Sequence, residues 1–526
     1  MSIDPGKLSR REFLKLLTLL PLIGTSSKID FFGRTFASHP SPNQPGADNT
    51  RPNFIILLFD TLSAQHLSLH GYSRQTTPNL ARFAEHATVF HQHYAAGNFT
   101  LPGTASLLTS AYPWTHRGLH VLGTVKEEFA VKNLFSELAD DYFIQTYTHN
   151  MLVMSLFQQF QKNLDKLVLP HELAILNEPL TDYLFPEDYY ASFWGERVYR
   201  GSGADLPGSL FLSFRPLFAE DFHPFTPESL TEKYGELFPR GLPNNSLGLF
   251  FKLEDAIDWI QTQAPALPQP FLGYYHLLPP HEPYKTRHDF VDRFDDEWRP
   301  TLKPESTFSL GMPQDELNRR RRWYDEYIAY VDAEFGRLID NLERNGALKN
   351  TYLILTSDHG QLFERGIHGH VTSTLYHPLL HIPLLISGPG HREGVDVTTP
   401  TSCIDVLPTV LHLAGKPSPE WAQGQILPTF GGPHATPERS LFALEAKNNP
   451  KMAPLQIGSL AMIKNGHKIV GYFGFGSGRD GYELYDLQND PEEMDDLYQD
   501  RNSLAQEMKT ELDTKLQQEN RDFTEG

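Results

Sequence analysis

The chain predicts an α/β protein built on an open, mostly parallel sheet flanked by helices, with a smaller α+β subdomain at its C-terminal end. Three observations carry that prediction. Two runs read as buried strands that end in an acid: NFIILLFD (Asn53 to Asp60), continuously apolar as strands buried on both faces of a parallel sheet are, and TYLILTSDHG (Thr351 to Gly360). Each neighbours a helical pattern: TPNLARFAEHATVF with Pro78 near its start, and Asp315 to Gly346 with Tyr324, Tyr327, Ile328, Val331, Phe335, Leu338 and Ile339 at helical spacing before a Gly stop. Finally, 526 residues with 40% hydrophobic and 12% aromatic content can fill one large core and a smaller one.

The N-terminal 37 residues read as targeting rather than fold. SRREFLKLLTLLPLIG pairs Arg10-Arg11 with a short apolar run and resembles a twin-arginine export signal. Thr35-Phe36-Ala37 offers small residues for cleavage, and residues 38–50 form a Pro/Asn-rich linker. The expected location is therefore periplasmic or otherwise extracytoplasmic, with an uncleaved signal as membrane anchor the alternative. No later stretch approaches the length of a membrane span.

The main domain is expected over residues 51–425, its two acid-capped strands placing Asp60 and Asp358 on one rim, where ligands of such sheets bind. Residues 155–248, rich in Phe, Tyr and Pro, read as an insertion folded over the sheet. From 440 to 526, AMIKNGHKIVGYF and YELYDL look like strands and SLAQEMKTELDTKLQQ like an acidic helix. The single cysteine, Cys403, excludes an internal disulfide and reads as a small buried hydrophobe. A formal charge of −20 excludes a nucleic-acid partner, which requires clustered Lys and Arg.

The chemistry gathers at four positions. Asp60 closes the first strand and Asp358-His359 the second, while Thr100 opens the helix-like TLPGTASLLTS, displayed where free N–H groups and the helix dipole favour an anion. Two carboxylates, an imidazole and a hydroxyl suit one divalent cation, Mn or Zn before Ca. Beside such a cation an oxygen loses its proton far more readily, the pKa of water dropping from 15.7 to about 7. Thr100 would then attack a phosphorus or sulfur centre.

Residues 51–118, beginning RPNFIILLFDTLSAQHLSLHGYSRQTTPN and ending LTSAYPWTHRG, resemble the opening of the sulfatase family within the alkaline phosphatase superfamily. LTSDHGQLFERGIHGHVTSTLYHPLLHIPLLISGPG resembles its second metal segment. FLGYYHLLPPHEPY and GHKIVGYFGFGSGRDGYELYDLQNDPEEMDDL resemble later parts. The resemblance implies an alkaline-phosphatase-like fold with Asp60, Thr100, Asp358 and His359 as metal ligands, Thr100 also as nucleophile, and His281 as general acid near the leaving group. It implies substrate contacts from His370, with His368 an alternative, and from His116.

The departures redirect the chemistry. The family's sulfate-ester enzymes carry an oxidisable Cys or Ser that becomes formylglycine, but this segment reads Thr-Leu-Pro-Gly-Thr, with Thr104 in place of an Arg. Asp60-Thr61 replaces a pair of acids, which favours Mn or Zn over Ca, and Pro280 stands where the resemblance implies an Asp of a second site, which favours one metal. What remains expected is a phosphate-ester hydrolase or transferase, diesters first, as in related phosphodiesterases and phosphoethanolamine or phosphoglycerol transferases. The alternatives are sulfate-ester hydrolysis without formylglycine and a non-catalytic relative that binds an anion or glycan. The expected partner is an anionic ester, with a lipid or glycan head group among the candidates.

Overall fold

A computed structural model describes residues 50–175, 227–245, 249–433, 439–500, 503–521 and 523. The expected signal and most of the aromatic-rich insertion lie outside the described residues. Ala47–Asn177 and Thr231–Gly526 together form one compact unit, which holds every candidate site residue.

Its centre is an eight-stranded sheet: β1 (Asn53–Phe59), β2 (Thr88–Phe90), β3 (Phe143–Thr148), β4 (Lys166–Val168), β5 (Phe271–Leu277), β6 (Thr351–Thr356), β7 (Leu384–Ser387) and β8 (Val395–Val397). Their spatial order is β8-β2-β7-β6-β1-β5-β3-β4. Every pairing is parallel except the two made by β7. Sandwiched between β5 and β6, β1 is buried at all seven residues, which is why its sequence shows no polar alternation. The register pairs Leu58 with His276 on one side and Thr356 on the other.

Helices α1 (Pro78–Ala84), α2 (Thr100–Thr109), α3 (Met151–Phe160), α4 (Leu253–Gln263), α5 (Gln314–Arg344) and α6 (Val406–Leu413) accompany the sheet. The Tyr324, Tyr327, Ile328, Val331, Phe335, Leu338 and Ile339 stripe of α5 is buried. One turn of α5 holds another helix: the Asp332 carboxylate accepts the Asn79 and Leu80 amides of α1 at 2.9 and 2.8 Å, two of the donors that a helix start leaves unpaired. Two sequence expectations shift. The helical pattern that begins at Pro78 stops at Ala84, and its last residues, TVF, are strand β2. Residues 155–160 and 166–168, expected within the insertion, belong to α3 and to the edge strand β4.

The C-terminal part is a four-stranded antiparallel sheet, β9 (Leu441–Glu445), β10 (Gly458–Lys464), β11 (His467–Phe473) and β12 (Gly481–Asp486), paired in chain order. Asn465-Gly466 joins β10 to β11 with both residues at positive φ, 50° and 77°, the geometry that favours Asn-Gly in tight hairpins. Helix α7 (Ser503–Arg521) buries Ala505, Met508 and Leu512. Cys403 is buried, and burial pushes its thiol up to about 12, so it acts as a hydrophobe.

Candidate active site

Because β1 and β6 are adjacent and parallel, their carboxyl ends deliver Asp60 and Asp358 to the same point. The turn after β1 is bent by Thr61, which holds φ at 64°, a conformation a β-branched residue adopts only under constraint. The constraints are visible: the Thr61 amide donates to Asp358 Oδ1 at 3.3 Å and its carbonyl accepts the Tyr324 hydroxyl of α5 at 2.5 Å. Ser357 Oγ ties the turns together, donating to the Phe59 carbonyl at 2.7 Å and accepting the Leu62 amide at 2.9 Å.

Helix α2 brings the hydroxyl. Phe99 is extended before it, and no side chain caps its first turn. At Gly103 an added Cβ would lie 2.2 Å from the Asp358 carbonyl oxygen, so the glycine lets this turn rest directly on the acid's backbone. All ten residues of α2 are buried and Thr100 is 2% exposed. The hydroxyl expected to be displayed therefore lies at the bottom of the site, because the helix that carries it is packed on every side.

Ligand atoms of Asp60, Asp358 and His359 all fall within 4.8 Å of one another. His359 Nε2 is the hub, 3.6 Å from Asp60 Oδ1, 3.5 Å from Asp358 Oδ2 and 3.4 Å from Thr100 Oγ1. Its other nitrogen, Nδ1, is held by the Gly360 carbonyl at 2.9 Å, which fixes the ring with Nε2 turned inward. Both carboxylates are fully buried, and Asp60 Oδ1 has no hydrogen-bond partner. Two acids in a dry site with an orphaned oxygen are a destabilising arrangement for the protein alone. A divalent cation would relieve it, and the O, O, N and hydroxyl donors fit one.

Charge is divided unevenly. Burial and the neighbouring Asp60 charge push Asp358 up to about 7. For Asp60 burial acts upward too, but the His276 hydrogen bond and the surrounding imidazoles outweigh it and hold this carboxyl well below its usual range. Without a cation and below about pH 7 the pair thus shares one proton, resident on Asp358. Burial lowers His359 to about 4, so its nitrogen is an unprotonated donor at neutral pH.

Residues the sequence reading did not single out complete this group. Asn150 Nδ2 donates to Asp60 Oδ2 at 2.6 Å, and His276 Nε2 lies 3.1 Å from the same oxygen and 3.8 Å from Asp358 Oδ2. Thr104, which the sequence reading did name for its departure from the expected Arg, points its hydroxyl toward Asp358 Oδ2 at 3.5 Å. The signal for His276 was a single imidazole at the end of the aromatic run FLGYYHL, uninformative until β5 is known to lie beside β1.

The His370 ring centre lies 4.6 Å from that of His359, tilted by 34°, and 4.8 Å from that of His281, which it meets edge-on. Its Nδ1 is held by Gln361 Oε1 at 2.7 Å. Asn98 fixes its loop by donating to the carbonyls of His370, Thr372 and Thr374 at 2.9, 3.0 and 3.1 Å. The C-terminal part holds the same loop: Lys447 Nζ reaches the Thr372 carbonyl at 3.2 Å, Ser459 Oγ the Ser373 carbonyl at 2.6 Å and Lys468 Nζ the Leu375 carbonyl at 2.7 Å. His281 is partly exposed, its Nδ1 on the Glu282 carbonyl at 2.6 Å. His368 is set aside by Tyr284, whose hydroxyl it meets at 2.9 Å. The structure does not bring His116 into the group. Both its nitrogens are used, by Ser106 and by the Gly118 amide, each at 2.9 Å, in a buried layer below α2 where its pKa falls to about 3. A cavity of about 620 Å³ against α7 contains none of these groups.

No helix among the described residues is long and apolar enough to cross a membrane. Residues 52–169 and 251–416, more than half the chain, match the family described as Sulfatase, and residues 366–522 match the family N-sulphoglucosamine sulphohydrolase, C-terminal. Choline-sulfatase of Rhizobium meliloti (strain 1021) is 24% identical over 482 residues, covering 85% of this chain and 82% of that protein. Arylsulfatase K of Homo sapiens is 27% identical over 281 residues, and the chain spans half the length of that relative. The phosphonate monoester hydrolase of Agrobacterium radiobacter superposes with a TM-score of 0.59 at 16% identity, covering 89% of this chain and 96% of that one. Such likeness fixes the fold, and the family match together with the metal-competent group gives the class: the chain is a hydrolase of the sulfatase family.

Proposed function

We propose that the chain hydrolyses or transfers phosphate esters, diesters foremost, through a covalent intermediate on Thr100. The observation that carries this reading is the Thr100 hydroxyl, 3.4 Å from His359 Nε2 at the mouth of α2, beside the Asp60, Asp358 and His359 group. A threonine cannot form the aldehyde that sulfate-ester relatives use, whereas it can carry a phosphoryl group. Likeness to a phosphonate monoester hydrolase supports phosphorus as the reacting centre.

Asp60, Asp358 and His359 would hold one divalent cation, with Thr100 Oγ1 at its edge. That cation, when bound, lowers the pKa of a neighbouring hydroxyl and screens charge on the reacting group. The chain's own residues do the rest. Thr100 supplies the attacking oxygen, and the first turn of α2 offers amides to the equatorial oxygens. His281, partly exposed at the mouth, delivers a proton to the leaving oxygen, and His370, held through Nδ1, keeps Nε2 for the substrate. Water, or an acceptor alcohol, then gives its proton to the now neutral His281 and bonds to the phosphorus as the phosphorus–oxygen bond to Thr100 breaks.

Sulfate-ester hydrolysis is the second reading, supported by the likeness to choline-sulfatase. Turnover of a chromogenic phosphodiester, phosphomonoester and sulfate with added Mn or Zn ranks the two readings. Thr100→Ala should abolish turnover, and a phosphorylated peptide covering residues 97–110 should be trapped from the active enzyme. Full activity of Thr100→Ala would overturn the nucleophile assignment. Export rests on Arg10-Arg11 and the apolar run after it. Replacing both arginines by lysine should leave the protein in the cytoplasm, a result read by cell fractionation.

A further inference from the structure

A second concave site lies at the same rim, built from arginine. Helix α5 leads into β6 through a short connection and runs back along the sheet, so its N-terminal turns reach the end where Asp358 sits. Tyr324 demonstrates the proximity, since its hydroxyl both donates to the Thr61 carbonyl and accepts the Ser63 amide at 3.0 Å. One turn earlier, the run Arg319 to Arg322 faces the segment around Trp298 across a cavity of about 260 Å³. Five arginines, Arg74, Arg299, Arg319, Arg321 and Arg322, are among the residues that line it, with Asp296 and Asp315.

The donors are not used up internally. Arg74 is committed: it clamps Asp296 at 2.6 and 3.0 Å, meets Asp325 at 2.7 Å and lies over the Trp298 ring. Arg299 bonds only the backbone carbonyls of Asp296 and Trp298, with no carboxylate partner among the described residues. Arg321 is 8% exposed, donates through Nη2 to the Phe363 carbonyl at 3.0 Å, lies 3.7 Å from the Glu364 carboxylate, and keeps a buried Nε without a partner. Arg322 also has an unpartnered buried Nε while its Nη1 pairs with Asp295, and Arg319 pairs with Glu316. The Asp295 and Glu316 pairs are partly solvated, and such pairs contribute little and exchange readily for a better acceptor. Buried guanidinium N–H groups without acceptors are costly. A group with several anionic oxygens would satisfy them together, and planar guanidinium forks match sulfate and phosphate.

We propose that this arginine pocket binds a sulfate or phosphate group. Beside a centre that cleaves anionic esters, its most direct use is as a subsite for a further charged substituent of the same substrate. That would make the preferred substrate a multiply charged chain or head group rather than a simple ester. A subsite role presupposes the ester-hydrolase reading, whereas the affinity for the oxyanion does not. The two sources of such a group, a substituent of the substrate and the free inorganic ion, are separated by kinetics.

The test begins with isothermal titration of the chelator-treated full chain with inorganic sulfate and phosphate. Saturable binding is expected in the wild type and in Thr100→Ala, and about tenfold weaker binding in the Arg299→Ala/Arg319→Ala double variant, about 1.4 kcal/mol. Both substituted side chains are exposed and lie outside the catalytic group. No saturable binding in the wild type, or equal binding in the double variant, would overturn the pocket. Where the anion belongs to the substrate, the double variant raises KM for a bis-phosphorylated or bis-sulfated ester and leaves KM for a singly charged chromogenic ester unchanged. Where the free ion is the ligand, added phosphate alters turnover of both esters in the wild type with a component missing from the variant. If no ester is turned over but the titration holds, the hydrolase reading fails and the pocket stands.

Discussion

Asp358 carries the proton of a buried acid pair, and a cation must displace that proton to bind. Metal affinity should therefore fall as pH drops below about 7, the value to which burial and Asp60 raise this carboxyl. For the metal-free chain the sign reverses. A carboxyl whose folded pKa is raised binds more protons folded than unfolded, so this contribution to stability is lost as pH rises through about 7. Metal titration and urea unfolding across that range check both statements. His276 and Asn150 orient Asp60 without being assigned as ligands, so His276→Ala or Asn150→Ala should weaken metal binding about 10–100-fold. Asp60 and Asp358 were legible as acids ending apolar runs. His276 was not, because a lone imidazole among aromatic residues reads as core until the pairing of Leu58 with His276 puts it beside the acid.

At the scale of elements, precision comes from two contacts between a helix and a strand end. Gly103 lets α2 lie against Asp358, and Gly103→Ala should cost about 1–3 kcal/mol by overpacking. Its turnover should fall further than that loss explains, since Thr100 moves with the turn; denaturation and kcat measured on one preparation separate the effects. Helix α5 makes the other contact. Tyr324→Phe removes a hydroxyl that serves both Thr61 and Ser63, and should destabilise by about 1–3 kcal/mol because the buried carbonyl and amide lose a partner. The long strands and α5 were readable because burial on both faces, or on one helical stripe, leaves a strong pattern. Strand β2 was not, since three residues continuing a helical rhythm become a strand only through their pairing with β7 and β8.

Taken as a whole, the protein stores many neutral imidazoles. Burial lowers His93, His116 and His149 to about 3 and His381 to about 4. Below their ordinary pKa of 6.5 the unfolded chain takes up protons that the folded chain refuses, so stability present above about 6.5 is lost as pH falls towards about 4. Each such histidine contributes about 1.4 kcal/mol per pH unit in that window. Asp332, raised to about 6 by burial, works in the opposite direction, as does Asp358 in the metal-free chain. A midpoint of urea unfolding that drops sharply between about pH 7 and about pH 5 is the expected result, and an unchanged midpoint would count against burial of these rings as neutral groups.

The loop that carries His370 is gripped from two directions, by Asn98 near α2 and, from the C-terminal part, by Lys447 just after β9 and by Ser459 and Lys468 of the sheet. A late stop codon, anywhere between residue 440 and the end of β11, would thus be felt at the reaction centre although it deletes none of its chemistry. Such alleles should behave as complete losses rather than as shortened but working enzymes, and homologous C-terminal halves should not be interchangeable unless the hydrogen-bond donors to that loop travel with them.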